Sequence, residues 1–151
     1  MTEHTNNLVS KAGQAMFALK VIKSNGLANK LLNTVCHATL VNSLTYASPS
    51  WWGYTNANDQ LRIQSVLNKA FRWGLCSPPS PPNFVSLCEK ADSGLFNKIC
   101  SNSNHVLQGI LPPVRQSRYN VRARAHNFSL PPTSSLLKRN FLHRLLFKDS
   151  Y

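Results

Sequence analysis

The sequence predicts a mostly α fold: a small bundle of three longer and two shorter helices, an extended basic C-terminal arm, and a short final helix. Three observations predict it. Apolar residues recur at steps of three and four through the first half. Prolines gather at 78–82, 112–113 and 131–132, where helices must stop. Four arginines crowd into one stretch near the end.

The first helix is expected over about Thr5–Ser24, with Leu8, Ala12, Met16, Leu19 and Ile22 on one face. Ser24-Asn25-Gly26 supplies its stop. A second runs from about Leu27 to Tyr46 and is apolar on more than one side through Leu31, Leu32, Val35, Leu40 and Leu44, which predicts a central position. Pro49 is expected to end it. After a turn through Trp51, Trp52, Gly53 and Tyr54, Asn58 is the expected N-cap of a third helix, and Asp59 suits its positive end. Leu61, Val66, Leu67, Ala70 and Phe71 form its expected apolar face, and it stops near Gly74.

These three helices make a bundle over 1–75. A stiff connector, CSPPSPPN, spans 76–83. A short helical pair is expected over 84–111, about Asn83–Ala91 and Asp92–Ser101. The basic arm covers 112–134, and a final helix lies within 135–151, from about Ser135 to Phe147.

Seventeen Lys and Arg against five acids give a net charge of +12, and 42% apolar residues argue against wholesale disorder. Such a surplus favours a polyanionic partner, because each neutralised phosphate releases condensed counterions. Expected binding residues are Lys11, Lys20 and Lys23 on the first helix, and Arg62, Lys69 and Arg72 on the third. On the arm they are Arg115, Arg118, Arg122, Arg124 and His126, beside Tyr119. Arginine forks grip phosphate bidentately, and flat aromatic rings stack bases. Trp51 and Trp52 are expected in the core or at an interface.

Catalysis has no candidate. Polymerases and nucleases gather carboxylates around magnesium, and here only Glu89 and Asp92 are close enough to share a face; they read as two surface acids. No GxSxG elbow or glycine-rich phosphate loop can be written, and a lone His37 on an apolar helix reads as a core residue. The four cysteines form no CxxC pair, so no metal site and no cofactor is expected, and Cys88 and Cys100 read as reduced, buried thiols. No signal peptide opens the chain and no apolar run is long enough to span a bilayer, so an intracellular, thiol-reducing setting is expected. Attachment to an anionic membrane would need a basic amphipathic helix, which the closing segment meets only in part through Lys138, Arg139, Arg144 and Lys148.

Five stretches, in order, carry a family resemblance: SLTYASPSWWG ending at Gly53, RIQSVLNKAFRWGL at 62–75, CEKADSGLFNKICSNSNHVLQGILPP, YNVRARAHNFSLP and NFLHRLLFKDSY. Together they resemble the carboxyl end of LINE-type reverse transcriptases, the polymerases of non-LTR retrotransposons of the jockey and chicken-repeat groups. The resemblance implies a position downstream of the palm, covering the thumb and the segment beyond it, where a helical bundle contacts the template–primer backbone. The family's acidic palm motif and its endonuclease have no counterpart here. Tyr46, Trp52 and Gly53 match recurring positions of the turn, Leu67, Asn68 and Arg72 those of the third helix, and Tyr119, Arg122, Arg124 and His126 those of the arm. Where the family often writes YNLRPR, this chain has Val121 and Ala123, which implies a less rigid arm.

The expectation is therefore a non-catalytic remnant of an RNA-directed DNA polymerase, from a copy truncated at its 5′ end, that holds duplex or hybrid nucleic acid without sequence preference. It would take no small-molecule substrate. A nuclear location follows from the resemblance alone. The alternative is an inert or protein-binding fragment that self-associates through the apolar face once turned to the palm.

Overall fold

A computed structural model of the chain describes residues 1–76, 81–115, 126–132 and 134–148. Two compact units divide it, Met1–Ala91 and Asp92–Tyr151. The fold is mostly α, and among the described residues its only β pairing is one isolated bridge.

In the first unit, α1 (Thr2–Ser24) buries Thr5, Ala12, Met16 and Leu19. The hydroxyl of Ser24 and the amide of Asn25 both donate to the Val21 carbonyl, at 2.8 and 2.9 Å, and Gly26 turns away with φ +88°. Glycine takes that left-handed conformation without the Cβ penalty of other residues. Next, α2 (Asn29–Cys36) runs through a π-helical turn, His37–Val41, into α3 (Asn42–Thr45). The Asn42 amide reaches back five residues to the His37 carbonyl. This helical stretch occupies the predicted 27–46 span and buries Leu32, Cys36, Leu40, Val41 and Leu44, but its π turn has no signature in the apolar spacing.

Pro49 does not end that helix. The break comes at Tyr46, with extended ψ, and at Ala47, which is left-handed at φ 49°. Pro49 instead sits in the first turn of α4 (Ser48–Trp51), where a missing amide costs nothing. Trp51 is buried as expected: its Nε1 donates to the Tyr46 carbonyl at 2.9 Å and its ring stacks on Phe84.

The N-cap of α5 (Ala57–Arg72) is Asn56, not Asn58. Asn56 Oδ1 accepts from the Asp59 amide at 2.7 Å, whereas Asn58 is exposed one residue inside the helix. The helix buries Ile63, Val66, Leu67 and Ala70, spaced i, i+3, i+4 and i+7. Leu61 falls off that stripe and is 66% exposed, which corrects its place in the predicted apolar face; Phe71 is half-buried. Beyond Arg72, Gly74 is left-handed at φ 63°, close to the predicted stop.

A disulfide joins Cys36 to Cys76 across a sequence separation of 40. Cys36 is on an inward helical face, and Cys76 follows the turn that returns the chain into the core, an approach no spacing rule reveals. Cys88 is a buried thiol as expected, but Cys100 is exposed.

The expected pair of short helices is one helix, α6 (Phe84–Ser101). Asn83 Oδ1 accepts from the Ser86 amide at 3.0 Å, capping its start. Nothing at Ala91–Asp92 interrupts it, because Gly94 inside a helix costs only about 1 kcal/mol. Asp92 is no surface acid either, being buried against an arginine in its own unit.

In the second unit, Val114 and Phe128 form an antiparallel bridge. The Arg115 amide donates to the Asn127 carbonyl at 2.7 Å, and the Ser129 amide to the Pro113 carbonyl at 2.9 Å. Within the predicted arm, residues 113–115 and 127–129 are thus tied together. The expected final helix over Ser135–Phe147 is a 3-10 turn, Leu137–Arg139, followed by α7 (Phe141–Leu146). Asn140 splits them, because its side chain caps α7 by accepting from the Leu142 amide at 2.9 Å. Phe96, Leu145 and Leu146 are the buried centre of this unit.

Candidate nucleic-acid interface

The α1–α5 pair gathers the cations of the first unit. Lys20 and Lys23 lie on the same side of α1 as Val9, Gly13 and Met16, and Arg62, Ser65 and Lys69 share the facing side of α5. Val9, Gly13, Met16, Arg62, Ser65, Val66 and Lys69 line a groove of about 340 Å³. Gly13 leaves its floor open, with no atom within 4 Å of where a Cβ would stand.

At the C-terminal end of α5, three ammonium groups gather at Trp73, two at its indole and one at the backbone. Lys20 Nζ lies 4.7 Å and Lys69 Nζ 4.8 Å from the ring centroid of Trp73. Lys23 Nζ donates to the carbonyls of Trp73 and Gly74, at 2.7 and 3.3 Å. It thereby satisfies helix-end carbonyls and sits at the negative end of the helix dipole. All three lysines are exposed and Trp73 is half-buried. Gly74 makes room for this contact, since a Cβ there would stand 2.8 Å from Lys23 Nζ.

The expected residues divide as follows. Lys20, Lys23, Lys69 and Arg62 share the α1–α5 face. Arg62 is partly engaged, donating to Asn6 Oδ1 at 2.7 Å and lying 3.6 Å from the buried Asp59 carboxylate. Lys11 does not join them: it lines a separate hollow on the other side of α1 with Leu8, Ala12, Ala15 and Ala38. The nine-residue step from Lys11 to Lys20 is two and a half turns, which puts them on opposite sides. Arg72 is exposed and lines a neighbouring hollow with Asn68, Phe71 and Pro81.

Of the arm, Arg115 is exposed at the bridge, whereas Arg118, Tyr119, Arg122 and Arg124 lie outside the described residues. His126 faces its own unit. Its Nε2 pairs with the Leu146 carbonyl at 3.0 Å, its Nδ1 accepts from the Phe128 amide at 3.2 Å, and its ring meets Phe96 edge-on. Those bonds fix the tautomer with the proton on Nε2, so the imidazole is a strut inside the unit.

Trp73 is the residue the sequence reading passed over. Its signal was present: it follows Lys69 by four residues and Arg62 by eleven, both helical spacings that place neighbours on one face.

Among the described residues, no three His, Cys, Asp or Glu are grouped so as to hold a metal ion, and no helix is long and apolar enough to cross a membrane. Arg144, on the closing helix, donates from Nη2 and Nε to Asp92 Oδ2 at 2.8 and 3.2 Å and from Nη1 to the Arg139 carbonyl, so it does not serve a basic outer face. Partial burial pushes the Cys100 thiol above its ordinary range, which keeps it neutral and a poor nucleophile.

No family model matches the chain, and neither does any curated protein or any solved structure.

Proposed function

We propose that this chain is a non-catalytic nucleic-acid-binding module, a remnant of a LINE-type reverse transcriptase whose thumb-like basic surface holds template–primer duplex without sequence preference. One observation carries the reading: cations from two helices, Lys20 and Lys23 of α1 and Lys69 of α5, converge on Trp73 and are exposed. A phosphate chain is the partner that such a strip suits, because its contacts are charge-based and indifferent to base identity. The five stretches that resemble the carboxyl end of that polymerase family support the origin, and a nuclear location belongs to the same reading.

The test is fluorescence anisotropy of the full chain on a labelled RNA–DNA hybrid through a salt series. Affinity should fall with a log–log slope of about 0.9 per contacted phosphate on B-form DNA, and comparably on a hybrid. Binding indifferent to salt, or none at low salt, sinks the reading.

A second reading has its own observation. Phe17, Tyr46 and Leu61 are 70%, 80% and 66% exposed, and Tyr46 borders the hollow beside Lys11. An inert or protein-binding fragment would use such apolar positions, and light scattering after gel filtration would then find self-association.

A further inference from the structure

We propose that Trp73, flanked by Lys20 and Lys69, is a stacking site for an unpaired nucleobase, so that the α1–α5 face takes single-stranded nucleic acid in preference to duplex. The inference rests on the phosphate-binding part of the reading above and departs from it in one respect: the α1–α5 face prefers a single strand to duplex.

What lies over the indole decides the matter. A tryptophan that serves only as core is covered by packed side chains, as Trp51 is. Trp73 packs against the core on its inner side and is only half-buried, with the tips of two exposed lysines over its ring. Those tips are held weakly. A cation–π contact at an exposed site is worth roughly two- to fivefold in an equilibrium, whereas a base stacked on an aromatic ring is worth roughly five- to 150-fold in affinity. A base therefore displaces an ammonium group from the ring. The displaced lysine needs to swing only the length of its own side chain to meet the phosphate joined to that base, so the same residues serve the ring before binding and the backbone after it.

Lys23 holds the arrangement in place. Its two bonds to the Trp73 and Gly74 carbonyls anchor the backbone that carries the indole, so the platform is set before a ligand arrives and little ordering is needed on binding. Bases inside a duplex are stacked on their neighbours and cannot use the ring. Duplex is left with the phosphate contacts alone.

The experiment compares labelled oligo-dT with the matching oligo-dA·oligo-dT duplex on the full chain, with Trp73→Leu, Trp73→Phe and Lys20→Gln/Lys69→Gln variants, circular dichroism confirming each fold. The single strand should bind more tightly than the duplex. Trp73→Leu should weaken the single strand about tenfold and change duplex binding less than twofold, and Trp73→Phe, which keeps an aromatic face, should restore most of the loss. The double lysine variant should lower the salt slope on the single strand by up to about 1.4, at roughly 0.7 per phosphate. If Trp73→Leu weakens single strand and duplex equally, or if wild type binds the two alike, stacking at Trp73 is overturned while the duplex-binding reading stands. If neither nucleic acid binds at low salt, both fail together.

Discussion

Met1–Ala91 holds eight Lys and Arg against three acids, and Asp92–Tyr151 holds nine against two, so the two units are similarly basic. They use that charge differently. In the first, Lys20 and Lys69 rest against an aromatic ring at the surface. In the second, Arg144 is bonded to a nearly buried carboxylate and a backbone carbonyl, and His126 is enclosed by hydrogen bonds and rings. The lesson is that net charge locates no site. What each cation faces decides whether it holds the fold or is left to meet a ligand.

The means of cohesion differ too, and the largest expected effect tests that. The first unit is stapled by Cys36–Cys76, whose closed loop of about 40 residues stabilises by about 4 kcal/mol on the chain-entropy account. All three tryptophans lie in this unit, so their fluorescence reports on it alone. Reductant should move the urea midpoint of that signal downward by a corresponding amount, while amide exchange in α7 stays the same. A tryptophan transition that ignores reductant removes the staple from the comparison.

The converse is Asp92→Ala. It leaves Arg144 without its carboxylate in a mostly desolvated setting, an expected loss of about 3 kcal/mol. Amide exchange in α7 should quicken, with the tryptophan signal nearly unmoved. Should both signals respond together, the division into units is not an energetic one.

Much of this architecture was legible. Alternation at three and four residues located α1, the helical stretch over 29–45 and α5, because these bury one broad stripe each. The errors came where local rules compete. Asn56 and Asn58 are equally good caps by type, and only the position of Ile63 on the buried stripe chooses between them. Asp92 looked like a helix start since its partner Arg144 is 52 residues away. Of the interface, the lysines were visible as charges, but their grouping was not: Lys11 separates from Lys20 by helical phase, and Trp73 acquires its meaning only when α1 packs against α5.

A smaller effect sharpens the account of the interface. Gly74→Ala puts a Cβ at left-handed φ and within 2.8 Å of Lys23 Nζ. The expected cost is about 1–2 kcal/mol, seen as a lower thermal midpoint by tryptophan fluorescence. An unchanged midpoint would mean that the left-handed turn at 74 carries no cost for a side chain. Smaller still, Asn56→Ala removes the α5 cap and should cost about 1 kcal/mol in the same melt, whereas Asn58→Ala should cost almost nothing.

The Val114–Phe128 bridge has an engineering consequence. Since Pro113, Arg115, Asn127 and Ser129 are paired backbone to backbone, the intervening segment starts and finishes at one fixed socket, whatever its own sequence. A glycine–serine insert of equal length in place of 116–125 would strip three arginines at once between the same paired backbone positions. The arm's share of any polyanion affinity can then be read by simple subtraction.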